Sequence, residues 1–296
     1  MTILIVGSTG MLGQAIVVEA QRRGFKTVGA ARRNAEISVD LVDDDSIASV
    51  LRAVNPSMVI NAAALTDLDR CTRFPDEAWR VNARAVGVLA NLCNRSRTKL
   101  LHVSTDHYFV GDGAARHDET APVSLINEYA ASKYAGEELA LVAPSNVVIR
   151  TNIVGFRGWK GQPTFLEWLT DTLTAGDPIS LFDDFYVSSI GTLQFAAAMF
   201  DLLDRGGNGL VNLSSRDVFS KKTFIEKFAT KFGFPLIEAR AGSVSELDIP
   251  RAESLGLDVG KAESILGWRL PGLGQVVDNL FDDHARRQCI ASPKSS

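Results

Sequence analysis

Cysteine is scarce in this 296-residue chain, which contains only Cys71, Cys93 and Cys289. Three widely spaced thiols are too few for a disulfide framework or a cysteine-ligated zinc site. Histidine is also rare, with four residues, and none of them stands in a His-Glu-x-x-His pattern or pairs with a nearby cysteine. The sequence therefore predicts reduced thiols and no metal site.

The chain also lacks long apolar runs and an excess of basic residues. No stretch reaches the roughly 18 apolar residues that a membrane-spanning helix requires, and the first residues show no basic leader. The formal net charge is −4 without a long basic block, which argues against a general nucleic-acid binder. We therefore expect a cytoplasmic protein with neither a membrane nor a nucleic-acid partner. A Gly-x-Ser-x-Gly motif is absent as well, so a hydrolase is not supported.

Short apolar runs alternate with longer segments of helical period through the first half of the chain. Runs that are apolar on both faces are typical of buried parallel sheets, and strand–helix alternation requires right-handed crossovers. The predicted strands are 2–7, 25–31, 37–41, 58–64, 100–104 and 147–154, and the predicted helices are 12–23, 46–54, 76–94 and 127–142. Residues 1–155 are therefore predicted to form an α/β domain of Rossmann type, with a doubly wound parallel sheet.

The second half of the chain is less regular. Helices are predicted at 165–174, 192–203, 223–232, 261–266 and 273–287, and short strands at 179–182 and 210–213. No internal repeat, low-complexity tract or linker separates this half from the first. We predict a smaller α/β substrate lobe over residues 156–296, with some chain crossing back to the Rossmann core and the active cleft between the two parts.

A glycine-rich turn follows the first predicted strand. Gly7, Gly10 and Gly13 form Gly-x-x-Gly-x-x-Gly directly before the first helix. Glycine permits a tight turn and a close approach of backbone to a pyrophosphate, whose charge suits a helix N-terminus. The motif is weak in isolation, because glycine occurs in many turns. Here the strand before it and the helix after it supply the context that dinucleotide binding requires.

Arg32 and Arg33 stand near the end of the second predicted strand, about 20 residues after the glycine turn, where the ribose of a dinucleotide is recognised. Guanidinium groups match phosphate geometry with paired donors, so they suit the 2′-phosphate of NADP(H). The alternative is a solvated surface pair. NADPH is therefore favoured as the cofactor, and NADH stays open.

Tyr129 and Lys133 form a Tyr-x-x-x-Lys pattern inside a predicted helix. Residues four positions apart lie on one helix face, so the ammonium of Lys133 is expected to lower the pKa of the Tyr129 phenol. Such a phenol can protonate an alkoxide as hydride arrives, and Lys133 can also hydrogen-bond the nicotinamide ribose. The pattern is common by chance on amphipathic helices. It gains weight from the glycine turn and from Ser104-Thr105-Asp106 at the end of the fifth predicted strand, where ligands meet such sheets.

With these motifs the chain resembles an extended short-chain dehydrogenase/reductase, and more narrowly the dTDP-4-dehydrorhamnose reductase family. The matching segments run almost from end to end and are 7–13 (GSTGMLG), 40–43 (DLVD), 59–64 (VINAAA), 81–83 (VNA), 103–106 (VSTD), 129–137, 183–184 and 257–268. The resemblance implies NADPH-dependent reduction of a 4-keto-6-deoxy sugar nucleotide.

The resemblance also implies a role for individual residues. Thr105 would orient the ketone oxygen, Tyr129 would donate the proton and Lys133 would tune Tyr129. Asn82 would be a supporting residue near the cofactor. The implied cofactor-binding residues are Gly7, Thr9, Gly10, Met11, Leu12, Gly13, Arg32, Arg33, Asp40, Leu41, Ala62, Ala63, Ala64, Tyr129 and Lys133. The implied substrate-binding residues are Asp106, His107, Asn152 and Arg251.

The chain departs from the usual family sequence on the substrate side. His107 stands where the family usually has tyrosine, Ile153 where the rhamnose enzymes carry an aromatic residue, and Phe185 where they carry glutamine. His102, inside the fifth predicted strand, is interpreted as a core residue. These departures leave the cofactor and proton chemistry intact and leave the particular sugar open.

A nucleotide-sugar substrate also needs cations for its diphosphate, and Arg157, Lys160 and Arg251 are candidates. Two other functions stay open from the sequence: a sugar-nucleotide epimerase or dehydratase, in which the cofactor recycles, and a non-catalytic NADP-binding regulatory subunit. Stoichiometric release of oxidised cofactor would identify a reductase, and co-purification with a partner enzyme without turnover would identify the regulatory subunit. A homodimer is likewise left open.

Overall fold

The structure is a computed structural model in which residues 1–158 and 163–291 are described. In chain order the strands are β1 (Thr2–Val6), β2 (Lys26–Ala31), β3 (Ile37–Ser38), β4 (Met58–Asn61), β5 (Lys99–Val103), β6 (Val147–Arg150), β7 (Ile153–Val154), β8 (Ile179–Phe182), β9 (Tyr186–Val187), β10 (Ile190–Gly191), β11 (Gly209–Asn212), β12 (Phe219–Ser220), β13 (Ala239–Gly242) and β14 (Ser254–Leu255). The helices are α1 (Met11–Arg22), α2 (Asp44–Val54), α3 (Leu68–Arg73), α4 (Pro75–Trp79), α5 (Ala85–Ser96), α6 (Glu128–Leu141), α7 (Phe165–Ala175), α8 (Thr192–Asp204), α9 (Lys221–Phe232), α10 (Gly260–Leu266) and α11 (Leu273–Ala291). A π-helical turn (Arg80–Arg84) lies between α4 and α5, and a 3-10 turn (Val244–Glu246) follows β13.

The central sheet contains seven strands in the spatial order β3-β2-β1-β4-β5-β6-β11, and every neighbouring pair is parallel. The chain leaves β1 toward β2 on one side and later returns to β4 on the other, so the strand order reverses between β1 and β4. In parallel α/β sheets this reversal opens a crevice at the carboxyl ends of the strands. The predicted Rossmann-type doubly wound parallel sheet is confirmed.

Both faces of this sheet are covered by helices. Along β1, Ile3 and Ile5 point to one face and Leu4 and Val6 to the other, as the two-residue period of a strand requires. Helices α1 and α8 cover the first face, and α2, α5 and α6 cover the second. Apolar residues on both faces of each strand are therefore the reason why the sheet is internal.

Chain from the second half returns to this sheet. Strand β11 pairs with β6 at the edge, and α8 packs against α1. Most remaining elements of the second half surround a separate apolar cluster, which includes Phe219, Phe224 and Phe228. The chain thus crosses back to the Rossmann core within the range predicted for the second lobe, and the lobe boundary at residue 155 stays a prediction.

Helix α11, with 19 residues, is the longest helix of the described chain. Its buried residues Val276, Val277 and Leu280 belong to the apolar cluster of the second half, and it packs on α9. Within residues 1–158 and 163–291, no helix combines the length and the apolar character needed to cross a membrane.

The helix predicted over residues 76–94 is interrupted by the π-helical turn between α4 and α5. This turn presents Asn82 to the loop after β4. Its side-chain oxygen accepts a hydrogen bond from the Leu65 nitrogen at 2.8 Å, and its amide donates to Ser132 Oγ at 3.1 Å. A Cβ on Gly136 of α6 would lie 2.0 Å from the Asn82 carbonyl oxygen, so the two helices approach closely here. The turn therefore fits Asn82 against α6, and such turns recur at functional sites.

The strand predicted over residues 147–154 is divided in the structure. Strand β6 ends at Arg150, and after a break β7 pairs with β10 instead of staying in the central sheet. At the break, the side-chain amide of Asn152 donates to Asp106 Oδ2 at 2.8 Å, and its oxygen accepts from Ser189 Oγ at 2.6 Å. These contacts replace ladder pairing at the point where the chain leaves the sheet.

A buried ion pair joins α6 to the end of β6. Glu137 is fully buried, Arg150 is 3% exposed, and Nη2 of Arg150 lies 2.5 Å from Oε1 of Glu137. The other carboxylate oxygen accepts a hydrogen bond from Ser104 Oγ at 2.8 Å, and the Tyr108 hydroxyl lies 3.1 Å from the same Oγ. The pair therefore holds α6, β6 and the segment after β5 in one arrangement.

We predict that Glu137→Gln lowers the free energy of unfolding by about 3–5 kcal/mol, because it leaves a buried guanidinium without a counterion. Urea unfolding followed by circular dichroism measures the loss. Glu77→Gln is the matched control, since Glu77 pairs with Arg70 at 2.6 Å on the surface, where losing one partner costs at most about 1 kcal/mol. An equal loss of unfolding free energy in the two variants would contradict the structural role of the buried pair.

Candidate active site

The glycine turn after β1 is packed so tightly that it excludes side chains. Gly7 has a φ of +84°, and a Cβ on it would lie 2.8 Å from the backbone nitrogen of Ala63. A Cβ on Gly13 would lie 2.0 Å from the Gly7 carbonyl oxygen. Helix α1 begins directly after Gly10, which has no side chain with which to cap the first N–H groups of the helix. Such a helix N-terminus is suited to a pyrophosphate.

A groove of about 390 Å³ lies beside this turn at the carboxyl edge of the sheet. It is lined by the predicted cofactor residues Gly7, Thr9, Gly10, Arg32, Asp40, Leu41, Ala62, Ala63 and Ala64. Arg33, also predicted, is exposed and is not part of the lining. Arg32 is therefore the arginine of this pair that faces the groove. Met11 lines a neighbouring cavity.

A second cavity, of about 230 Å³, adjoins the groove and shares Ala62 and Ala64 with it. Its lining includes the predicted catalytic residues Thr105, Tyr129 and Lys133, the predicted cofactor residue Leu12, and the predicted substrate residues Asp106, His107 and Asn152. These side chains come from α1, α6, the segment after β5 and the break after β6. The structure therefore brings together residues that are far apart in the sequence.

Tyr129 lies in the wall of the second cavity and is 8% exposed. Burial raises the pKa of its phenol above the ordinary value, a hydrogen bond with Thr105 opposes this shift, and the charge of Asp106 adds to it. Lys133 is not among the groups that act on this pKa. The expectation that Lys133 lowers the Tyr129 pKa is therefore wrong for this arrangement, because the lysine amine is directed elsewhere.

Lys133 is buried with its amine directed at β5. Nζ donates a hydrogen bond to the carbonyl of Val103 at 2.8 Å and lies 3.4 Å from Nε2 of His102. Asn61 orients the imidazole: its side-chain oxygen accepts from the Ala63 nitrogen at 3.2 Å, and its amide nitrogen faces Nδ1 of His102 at 3.1 Å. An imidazole that accepts at Nδ1 carries its proton on Nε2, which then points at the Lys133 amine.

This contact favours the neutral form of Lys133. The Nε2–H group of His102 would repel a protonated Lys133. A neutral Lys133 amine can accept a hydrogen bond from this group and still donate one to the carbonyl of Val103. Burial lowers the pKa of Lys133 to about 8, and the Glu137 carboxylate acts in the opposite direction. His102, interpreted from the sequence as a core residue, is indeed fully buried. Its contact with Lys133 was missed, because it depends on the pairing of Asn61 with His102 across neighbouring strands.

Asp106 and His107 face the same cavity from the segment after β5. Burial raises the pKa of Asp106 to about 7. The His107 ring packs edge-on against Tyr129 with 5.4 Å between ring centroids, and burial together with the charges of Lys221 and Arg251 lowers its pKa to about 4. Nδ1 of His107 is buried without a hydrogen-bond partner in the described chain. A polar atom of this kind in a cavity wall indicates a surface that a ligand contacts.

Lys221 is a residue near this site that the sequence analysis missed. The helix was predicted to begin at residue 223, and the adjacent Lys222 has the same side chain, so nothing local distinguished the two. In the structure Lys222 pairs with Asp183 at 3.3 Å on the surface, whereas Nζ of Lys221 lies 4.5 Å from the ring centroid of Phe165. Burial lowers the pKa of Lys221 to about 8, and the charge of Asp106 acts in the opposite direction.

The three cations predicted to bind a diphosphate do not form one group in the structure. Arg251 lies close enough to Lys221 and His107 to shift both of their pKa values downward. Arg157 lines the cavity that also contains Met11. Lys160 lies outside the described residues. Arg251 is therefore the predicted cation that the structure brings to the substrate side of the site.

The parallel sheet, the glycine turn ahead of α1 and the Tyr129–Lys133 pair in an adjoining cavity define a Rossmann-type oxidoreductase of the extended short-chain dehydrogenase/reductase type. Within the part of the chain that the structure describes, no group of three or more His, Cys, Asp or Glu side chains could hold a metal ion. The profile of the family described as RmlD substrate binding domain matches residues 1–283, and the chain belongs to this family. The resemblance inferred from the motifs is thereby confirmed.

Relatives of the chain are named as reductases. A probable low-salt glycan biosynthesis reductase, Agl14, of Haloferax volcanii is 30% identical over 303 residues, covering 99% of each chain. The dTDP-4-dehydrorhamnose reductase of Mycolicibacterium smegmatis is 31% identical over 229 residues, which is 74% of this chain and 65% of that protein. The dTDP-4-keto-6-deoxy-D-glucose reductase of Streptomyces niveus is 25% identical over 276 residues and 91% of each chain.

Solved structures share the fold over almost the whole chain. The dTDP-4-dehydrorhamnose reductase of Bacillus anthracis in complex with NADP has a TM-score of 0.85 at 21% identity, covering 95% of this chain and 99% of that one. The UDP-glucose 4-epimerase of Thermus thermophilus in complex with NAD has a TM-score of 0.78 at 21% identity, with the same coverage of 95% and 99%. At these identities the likeness shows the fold, which reductases and epimerases have in common.

We predict that Lys133→Met raises the midpoint of urea unfolding at pH 7. The folded-state pKa of Lys133 is about 8, below the ordinary 10.5, so a protonated lysine at this position destabilises the fold, by at most about 3 kcal/mol. This cost is fully present below pH 8 and disappears as the pH rises from 8 toward 10.5, so the advantage of the variant should shrink over that range. Lys26→Met, at an exposed lysine, is the control. If Lys133→Met did not raise the midpoint of urea unfolding at pH 7, or raised it equally at every pH, the buried environment assigned to Lys133 would be contradicted.

Proposed function

We propose that the chain reduces the ketone of a 4-keto-6-deoxy sugar nucleotide with NADPH, and that Tyr129 donates the proton. The observation that carries the proposal is a single cavity that contains Thr105, Tyr129 and Lys133 and adjoins the groove of the glycine turn. Relatives named as dTDP-4-dehydrorhamnose reductase and dTDP-4-keto-6-deoxy-D-glucose reductase support this substrate class. The cytoplasmic location and the homodimer considered from the sequence stay predictions.

The residues of the groove fit a nicotinamide dinucleotide phosphate. A Cβ on Gly7 would meet the backbone of Ala63 and one on Gly13 would meet the backbone of Gly7, so glycine keeps the turn tight, and the N-terminus of α1 suits the pyrophosphate. Arg32 lines the groove together with Asp40 and Leu41, and its guanidinium would hold the 2′-phosphate. When bound, the cofactor supplies the hydride. The similar Bacillus anthracis reductase contains NADP, which supports this choice.

Tyr129 holds the proton that the product oxygen needs. Its raised pKa keeps the phenol protonated at neutral pH. The alkoxide formed at the substrate carbon is a stronger base than a phenolate, so transfer of the proton is favourable. Thr105, which hydrogen-bonds the phenol, would hold the same oxygen in line. Lys133, one helical turn from Tyr129 in the same cavity, would hydrogen-bond the nicotinamide ribose and so hold the cofactor beside the phenol.

Polar side chains around the cavity can orient a sugar ring. The amide of Asn152 donates to Asp106 at 2.8 Å, and both line the cavity. A carboxylate and an amide held together in this way can accept from and donate to the ring hydroxyls. His107 is neutral near pH 7 because its pKa is about 4, and it adds an imidazole nitrogen to the same wall. Contacts of this kind would place the ketone against Tyr129 and lower the entropic part of the barrier.

Tyr129→Phe is predicted to lower kcat by about 10²–10⁴-fold, because the phenol supplies the proton. NADPH consumption with a panel of 4-keto-6-deoxy sugar nucleotides measures the change. NADPH binding followed by fluorescence should stay close to wild type, since the ring that packs against His107 is retained. Tyr134→Phe, on the same helix but outside the cavity lining, is the control. A folded Tyr129→Phe protein that turns over as fast as wild type would falsify the assignment.

Arg32→Ala is predicted to weaken NADPH binding by about 10-fold to 100-fold, the range expected for losing a charge-assisted hydrogen bond to phosphate. NADH lacks the 2′-phosphate, so its affinity for the same variant should change much less. Fluorescence titration with both cofactors measures the two constants. Arg33→Ala should cause a smaller loss of NADPH affinity, because Arg33 lies outside the groove lining. Equal losses for NADPH and NADH in Arg32→Ala would show that this arginine does not recognise the 2′-phosphate.

A further inference from the structure

Two cations lie at the substrate side of the catalytic cavity without a carboxylate partner. Nζ of Lys221 lies 4.5 Å from the ring centroid of Phe165 and 5.6 Å from that of Phe185. Nε of Arg251 is buried and has no hydrogen-bond partner in the described chain. Among the ion pairs of residues 1–158 and 163–291, none includes Lys221 or Arg251. These cations are therefore available to a ligand.

Contacts of the segments that carry these cations place them beside the catalytic cavity. Phe165, over which Nζ of Lys221 lies, lines a neighbouring cavity that shares two of its lining residues with the catalytic cavity. Asn127, the N-cap of α6, donates a side-chain hydrogen bond at 3.1 Å to the carbonyl of Pro250, the residue before Arg251.

The charges of both cations also reach the wall of the catalytic cavity. After burial, the charges of Lys221 and then Arg251 are what lower the pKa of His107. His107 lines the catalytic cavity, where its ring packs against Tyr129. The Arg251 charge also lowers the pKa of Lys221, after the larger effect of burial. The two positive charges are therefore close to each other and to the cavity wall.

The protein balances this positive charge only in part, since Asp106 is the one carboxylate of the described residues that acts on the pKa of Lys221. His107 is neutral near pH 7, since its pKa is about 4. Asp106, the carboxylate that Lys221 influences, is engaged by the amide of Asn152 at 2.8 Å. Buried cations are costly unless a partner neutralises them. The cluster is therefore matched to an anionic group on a ligand.

We propose that Lys221 and Arg251 form an anion clamp for the diphosphate of the substrate, which makes Lys221 a substrate-binding residue of this chain. The inference rests on the proposed function, because a neutral sugar linked to a nucleotide carries its negative charge on the diphosphate. Arginine presents a planar fork of donors and lysine a compact charge, so the two can bind neighbouring phosphate groups. Phe165 and Phe185 hold the ammonium in position through cation–π contacts.

Calorimetric titration of thymidine diphosphate and uridine diphosphate into the NADP-saturated protein tests the clamp. Lys221→Met should weaken binding of the nucleoside diphosphate that the wild type prefers by about tenfold or more, and Lys221→Arg should restore most of it because the charge is kept. Lys222→Met is the matched control, since Lys222 pairs with Asp183 on the surface. The affinity of this variant for the nucleoside diphosphate should match that of the wild type. NADPH affinity should be unchanged in all three variants, which verifies that they are folded.

Steady-state kinetics separates failure of the clamp from failure of the proposed reduction. With a 4-keto sugar nucleotide, the KM of Lys221→Met should rise by about tenfold while kcat changes little. Equal nucleoside diphosphate affinity in wild type and Lys221→Met, or no binding to the wild type, would overturn the clamp even if the wild type consumes NADPH. Diphosphate binding that depends on Lys221, without NADPH consumption on any keto sugar nucleotide, would support the clamp and overturn the proposed reduction.

Discussion

The buried ion pair between Glu137 and Arg150 is the constraint on which the catalytic cavity depends. Glu137 lies one turn beyond Lys133 on α6, and its carboxylate also accepts a hydrogen bond from Ser104, the residue before Thr105. The pair thus fixes the helix that carries the tyrosine and lysine relative to the strand end that carries the threonine. Because each charge is buried, neither partner can lose the other without a large cost. The geometry of the site and the stability of the sheet edge are therefore coupled.

Burial also sets the protonation states around the cavity. The pKa of Tyr129 is raised and that of His107 is lowered to about 4, so both groups are neutral near pH 7. Lys133 and Lys221 have pKa values lowered to about 8, and Asp106 has one raised to about 7. Desolvation is the largest cause in every case, and shifts of this kind cluster at functional sites. The apolar sheet with its two covered faces supplies the stability that such a site requires.

The expectations that the structure confirmed were based on local signals, and those that failed depended on distant partners. Runs that are apolar on both faces predicted the parallel sheet, since the two-residue strand period needs no long-range information. The π-helical turn at Asn82 was missed because its side chain bonds Ser132, 50 residues away. The break at Asn152 was missed because its partner Asp106 is 46 residues away. Neither contact leaves a pattern among neighbouring residues.

The doubly wound sheet, the glycine turn and the tyrosine–lysine pair could all be read from the sequence, because strand period, glycine spacing and one-turn helix spacing are properties of nearby residues. Charge state and side-chain direction could not, since they arise from desolvation and from groups brought close by folding. Lys221 and Lys222 are adjacent and identical in type, yet the first turns inward to Phe165 and Phe185 and the second pairs at the surface. In the same way, the amine of Lys133 is directed by the carbonyl of Val103 at the end of β5, which is 30 residues away in the chain.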